Sequence, residues 1–203
     1  MKRRHFLAGT SGTALAGLNF RSMNPEPNLE RNNESKGESE RHPVLVRAGF
    51  SRGPDGSETR VTSQQTVVRS SDSEGRLAAF VVPVGEHSPY GGAPLHVHHE
   101  QDEWLFIIAG EFVAEVGDKR IRLKPGDSLL MPMRVPHRWS HASQFQSGAI
   151  HLYTPAGSMD IWWDPTPNDD VPKSLEQRKA EFEKYGTTLL GVPLTKDEID
   201  QTA

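Results

Sequence analysis

The chain has 203 residues, 34% of them hydrophobic, and a formal net charge of −4. Such a length suits one domain with a substantial core, and no apolar run reaches the roughly 18 residues a membrane-spanning helix needs. Cysteine is absent, which excludes disulfides, zinc ribbons and thiol chemistry and leaves His, Asp and Glu as metal donors.

The N-terminus reads Lys2-Arg3-Arg4-His5-Phe6-Leu7 and runs into a weakly apolar stretch ending at Leu18. Positive residues before a short apolar region describe a signal peptide, not a membrane anchor. The Arg3-Arg4 pair resembles a twin-arginine export signal, and Ala14-Leu15-Ala16 offers small-x-small cleavage before Gly17. Residues 1–16 are therefore expected to be a leader, and the mature chain to be periplasmic or otherwise exported, with no membrane contact after processing. Loss of Lys2, Arg3 and Arg4 takes the charge to −7, which gives no basic footprint for nucleic acid. Residues 17–42, rich in Asn, Glu, Ser, Arg and Pro, bury too little surface to offset their ordering entropy and read as a flexible tether.

From Pro43 to Gly157 the pattern becomes short β-like runs: Val44-Leu45-Val46, Leu77 to Val84, Trp104 to Ala109, Phe112 to Val116, Ile121 to Leu123, Leu129 to Met133 and Ile150 to Tyr153. Gly110, Gly117-Asp118 and Pro125-Gly126 punctuate them. Many short strands at regular spacing predict an all-β sandwich or barrel over 43–157. Residues 158–203 differ. Ser174 and Gln177 match a capping box, Leu175, Phe182 and Tyr185 fall near one helical face, and Gly186 suits the C′ position. A single helix over about 174–185 is expected to lie on the barrel. Trp162-Trp163, just before it, would face opposite ways on a strand.

The chemistry concentrates in a few residues. In His96-Val97-His98 a strand would turn both imidazoles to one face. Glu103 opens an apolar strand whose alternation groups it with Leu105 and Ile107, where a carboxylate is costly unless paired or metal-bound. His137, Trp139 and His141 share a face of a later strand. His96, His98, Glu103 and His137 are the expected ligands of one divalent ion. Nitrogen and oxygen donors without sulfur suit Mn, Fe, Ni, Co, Zn or Cu. His99 is expected to point outward. Leu95, Leu105, Ile107, Met131 and Trp139 are candidate cavity-wall residues, and His141 a residue beside the ligands or the substrate.

The run from Gly91 through Glu103, ending at Gly110, resembles the first cupin motif, and Gly126-Asp127 through Pro136-His137 resembles the second. This implies a cupin double-stranded β-helix, a jelly-roll barrel, with a short C-terminal helix. Asp102-Glu103, Pro136-His137, Pro155-Ala156-Gly157 and the Tyr185-Gly186 ending are most similar to single-domain proteins resembling quercetin 2,3-dioxygenase. Three residues depart from the motifs: Gly91 falls one residue late, Arg134 stands where Gly is usual, and His141 where Asn is usual. The resemblance implies a metal-dependent dioxygenase for an aromatic or enolic small molecule and O2, with Glu103 as ligand and proton acceptor, and often a homodimer. A redox-neutral isomerase or lyase, and a non-enzymatic exported binder of a small molecule or metal, are the alternatives.

Overall fold

The computed structural model describes residues 42–53, 55–60, 64–85, 90–142, 146–157, 159 and 174–203. The expected leader, the tether up to Arg41 and the Trp162-Trp163 pair lie outside them.

Alternation decides how the strands stack. In β6 (Asp102–Ala109), Glu103, Leu105 and Ile107 are fully buried, while Trp104 and Phe106 are half-buried and Ile108 is exposed. Successive side chains of a strand point to opposite faces, so one face of β6 enters the core. β3 (Gln65–Val68), β4 (Ala78–Gly85), β11 (Ser147–Thr154), β6 and β9 (Ser128–Met131) form one five-stranded antiparallel sheet in that order. The second sheet runs β12 (Thr187–Leu189), β5 (Gly92–His98), β10 (His137–His141), β7 (Phe112–Val116) and β8 (Lys119–Leu123), again antiparallel. β1 (Phe50–Arg52) and β2 (Glu58–Arg60) make a separate pair.

Leu105, Ile107, Met131 and Ala149 from the first sheet meet Phe112, Ala114, Leu123 and Trp139 from the second in one buried cluster. Full burial of one such large apolar side chain contributes roughly 1.5–3 kcal/mol, so this shared interior holds the two sheets face to face. Gly110 makes the turn from β6 to β7 at φ +71°, and a Cβ there would stand 2.6 Å from that of Ser147. Glycine alone meets both demands.

The run Val44-Leu45-Val46 forms no strand, and Leu45 is 70% exposed. Three β-branched or apolar residues without an adjacent strand partner have nothing to pair with.

The expected C-terminal helix is α1 (Leu175–Lys184). Ser174 and Gln177 close the reciprocal capping box, and Gly186 follows at φ +74°. The helix is attached by its far end: Phe182 and Tyr185 are buried, whereas Leu175, expected on the packed face, is 60% exposed. Two further elements follow. β12 adds to the edge of β5. Helix α2 (Lys196–Asp200) buries Ile199 against Val113 and Leu194. The Arg122 guanidinium donates to the carbonyls of Ile199 and Thr202 at 2.7 and 2.9 Å, and Arg138 bridges Glu115 and Glu198.

Candidate metal centre

β5 supplies His96 and His98, β6 supplies Glu103, and β10 supplies His137, so both sheets contribute donors. His137 stands directly across from His96. The ladder slips by one residue between His137 and Trp139, a bulge that lets β5 turn both Ala93 and His96 inward. All four side chains are buried, and one ligand atom from each lies within 4.8 Å of the others. The sequence expectation for these four residues therefore coincides with a convergent donor set.

Hydrogen bonding fixes what the donors offer. Nδ1 of His96 lies 2.7 Å from the Pro94 carbonyl and Nδ1 of His137 2.9 Å from that of Val135. A carbonyl only accepts, so each Nδ1 carries the proton and each neutral ring turns an Nε2 lone pair inward. His98 Nε2 lies 3.2 Å from His96 Nε2 and 3.4 Å from Glu103 Oε2, and His137 Nε2 lies 3.3 Å from that same oxygen. Nε2 lone pairs gathered beside a buried carboxylate oxygen need a donor or a positive charge among them, and a divalent cation fits the same donors.

The ionisations follow. Burial pushes His96 down to about 3, with the neighbouring His137 adding to the effect. Burial alone would raise the Glu103 carboxyl, but hydrogen bonds from His137, His151 and His98 outweigh it and hold the group well below the usual range. Burial likewise opposes a charge on His137, yet its bond to Glu103 leaves that ring raised above the ordinary histidine value.

The neighbours divide. Met131 pairs directly with Glu103, and Leu105 and Trp139 share its buried cluster, which places these three as the apolar surround of the donors. His141 is buried, but its Nδ1 bonds Ser147 Oγ at 2.8 Å and its ring packs on Phe112, with Trp139 between it and His151. Leu95 alternates out of phase with His96 and His98 and lies beneath Gly191, where a Cβ would come within 3.3 Å of its own, so it is no part of the donor side. His99, just past the end of β5, is exposed, its Nε2 2.9 Å from Thr188 Oγ1. Arg134 adopts φ +64° and donates its backbone N–H to the His98 carbonyl at 2.8 Å, so the turn keeps a glycine-like shape despite the side chain.

One residue escaped the sequence reading. His151, on β11, is fully buried with Nδ1 3.0 Å from Glu103 Oε1. Its signal is a lone histidine at an inward position of the alternation Ala149, His151, Tyr153.

The sequence model of the cupin domain matches residues 80–151, the stretch that carries all four donors. The fold is a cupin barrel. Among curated proteins, an uncharacterised protein of Methanocaldococcus jannaschii is 29% identical over 62 residues, which is 30% of this chain and 46% of that one. Among solved structures, a cupin-like protein of Thermotoga maritima has a TM-score of 0.45 at 18% identity, over 69% of this chain and 83% of its own. The structure of KdgF from Halomonas sp. has a TM-score of 0.37 at 20% identity, over 55% and 83%. The expected jelly roll and its short C-terminal helix are both present, and the buried His-His-Glu-His cluster is a candidate metal site.

Proposed function

We propose that this cupin is an exported metal-dependent oxygenase acting on an aromatic or enolic small molecule. The observation that carries the reading is the placement of Glu103. One of its carboxylate oxygens faces His98 and His137 and the other is held by His151, inside a buried apolar surround. A divalent ion bound to the four donors supplies Lewis acidity and, if redox-active, electrons for oxygen chemistry.

The chain's own contribution is proton handling and exclusion of water. Glu103 is held ionised. With Oε1 held by His151, Oε2 is the oxygen that either ligates an ion or, once released from it, takes a proton from a substrate hydroxyl, and a phenol or enol gives one up more readily than an aliphatic alcohol. Leu105, Met131 and Trp139 keep bulk solvent from the reacting groups, and exclusion of water strengthens every charge interaction there.

The test is elemental analysis of freshly purified protein joined to oxygen uptake against a panel of catechols and flavonols. Metal-dependent oxygen consumption with at least one of them is expected. Metal-loaded protein that converts a substrate without oxygen would make it an isomerase or lyase. Tight metal binding without any turnover would make it a binding module.

A further inference from the structure

Three imidazoles approach the Glu103 carboxylate, and they divide between its two oxygens. His98 and His137 approach Oε2, the oxygen within the donor set. His151 approaches Oε1 alone, at 3.0 Å through Nδ1. In the β11–β6 ladder Glu103 pairs with Tyr153 and His151 with Leu105, so the two residues are diagonal neighbours, a spacing that long side chains span. The His151 ring is clamped: it is fully buried, and Trp139 packs on it with ring centroids 4.8 Å apart at a tilt of 42°. Packing alone would be served by an apolar residue between Ala149 and Tyr153. A buried imidazole there is costly unless its hydrogen bond matters.

We propose that His151 is a positioning residue that sets the orientation of Glu103, occupying Oε1 so that the carboxylate presents the single oxygen Oε2 to a metal ion. The inference rests on the metal centre within the function proposed above. A ligating carboxylate is ionised and only accepts, so His151 Nδ1 is the N–H donor. Without that bond the carboxylate turns about its last torsion, whose minima are broad, and offers both oxygens or neither.

The fixed donor has a consequence for Glu103→Gln. The His151 N–H selects the amide oxygen for the Oε1 position and leaves the NH2 facing His98 and His137, where it cannot ligate. Removing His151 frees the amide to turn its oxygen inward. His151→Leu therefore has opposite effects in the two backgrounds. It weakens metal binding where residue 103 is the native Glu and strengthens it in the Glu103→Gln background.

The experiment loads the full chain with Co(II). The dissociation constant is measured by chelator competition and the coordination by visible absorption, for wild type, His151→Leu, Glu103→Gln and the double variant. His151→Leu is expected to lose roughly 10–100-fold in affinity, as partners of metal ligands commonly do, with a changed visible band. Its effect on Glu103→Gln is expected to have the opposite sign. His151→Asn, whose amide N–H reaches close to the Nδ1 position, is expected to restore both affinity and band, and His151→Gln, which places its amide near Nε2, is not. Equal effects of His151→Leu in both backgrounds, or no effect in either, overturn the proposal. Should His151→Leu fail to fold, equal affinities for His151→Asn and His151→Gln overturn it. Oxygen uptake is no part of this readout, so a protein that binds Co(II) but oxidises nothing sinks the oxygenase reading and leaves this one to be judged on affinity. A wild type that binds no Co(II) sinks the metal centre and the positioning role together.

Discussion

Leu189 pairs with His96, and two residues back along the same strand Thr187 pairs with His98. The C-terminal segment is thus a structural partner of the ligand strand. It is tied further by Leu190 and Gly191, whose N–H groups both donate to the Leu95 carbonyl at 2.8 and 3.0 Å, and by the His99 N–H to the Gly186 carbonyl at 3.2 Å. A chain stopped after Gly186 is expected to melt lower and to bind metal more weakly, because β5 becomes a frayed edge. Thermal melting and metal competition against the full chain decide this. Unchanged affinity would show that β5 holds its shape unaided.

Single removal of a donor should be severe. Structural zinc sites with four protein ligands bind with roughly 10–16 kcal/mol, so one ligand in four is worth about 3 kcal/mol, or on the order of 10²-fold in affinity. His96→Ala, His98→Ala and His137→Ala are each expected to lose about that much, measured as metal content after dialysis. His99→Ala is the control and should retain its metal, since that ring lies past the end of β5, exposed and bonded to Thr188. The reverse pattern would mean that the strand is shifted by one residue.

Metal loading should release protons. Ligation needs neutral imidazole. His96, pushed down to about 3, is already neutral near pH 7, whereas His137 is raised and keeps its proton to higher pH than an ordinary histidine. Protons released on loading at about pH 6, below the ordinary histidine value, are expected from His137, and affinity should weaken as pH falls further. Titration calorimetry in buffers of different ionisation enthalpy counts the protons. Release of none at about pH 6 would contradict the charge assignment.

At the other end of the second sheet, Glu198 is held down to about 2, first by the Thr195 backbone N–H it accepts from and further by Arg138. A depressed folded value contributes stability above the unfolded carboxyl range, and that contribution is lost as pH falls from about 4.5 toward about 2. Glu198→Gln should therefore melt lower at pH 7, by the equivalent of less than about 1 kcal/mol for so exposed a group. The gap to wild type should close near pH 2. A constant gap across pH would assign the effect to shape and not to charge.

Export is proposed from the leader, and Arg3→Lys with Arg4→Lys tests it. The precursor should then stay in the cytoplasm, and the exported wild type should begin at or near Gly17. Periplasmic protein with Met1 intact would refute the leader.

What could be read from the chain follows physical range. The donor set was legible because two-residue spacing in His96-Val97-His98 is a local property of a strand, and because Glu103 falls in phase with Leu105 and Ile107. His151 was not, since its meaning lies in a carboxylate 48 positions earlier in the chain that only the β11–β6 ladder brings near. β12 has three residues, too few for any period, and its neighbour Gly186 reads equally well as a helix end. Thr195 and Glu198 form a capping box as clear as that of Ser174 and Gln177, but it opens a helix of only five residues with no amphipathic run to draw attention. Leu175 misled because helical phase says which residues share a face, and says nothing of how far along the helix the barrel reaches.

The pairing of β12 with β5 also orders events in time. Thr188 follows His99 by 89 positions, and a ribosome adds some 5–20 residues per second. The ligand strand therefore spends several seconds of synthesis without its outer neighbour. Through that interval His96 and His98 stand on an unpaired sheet edge, a ready template for pairing with another chain until residues 187–189 dock.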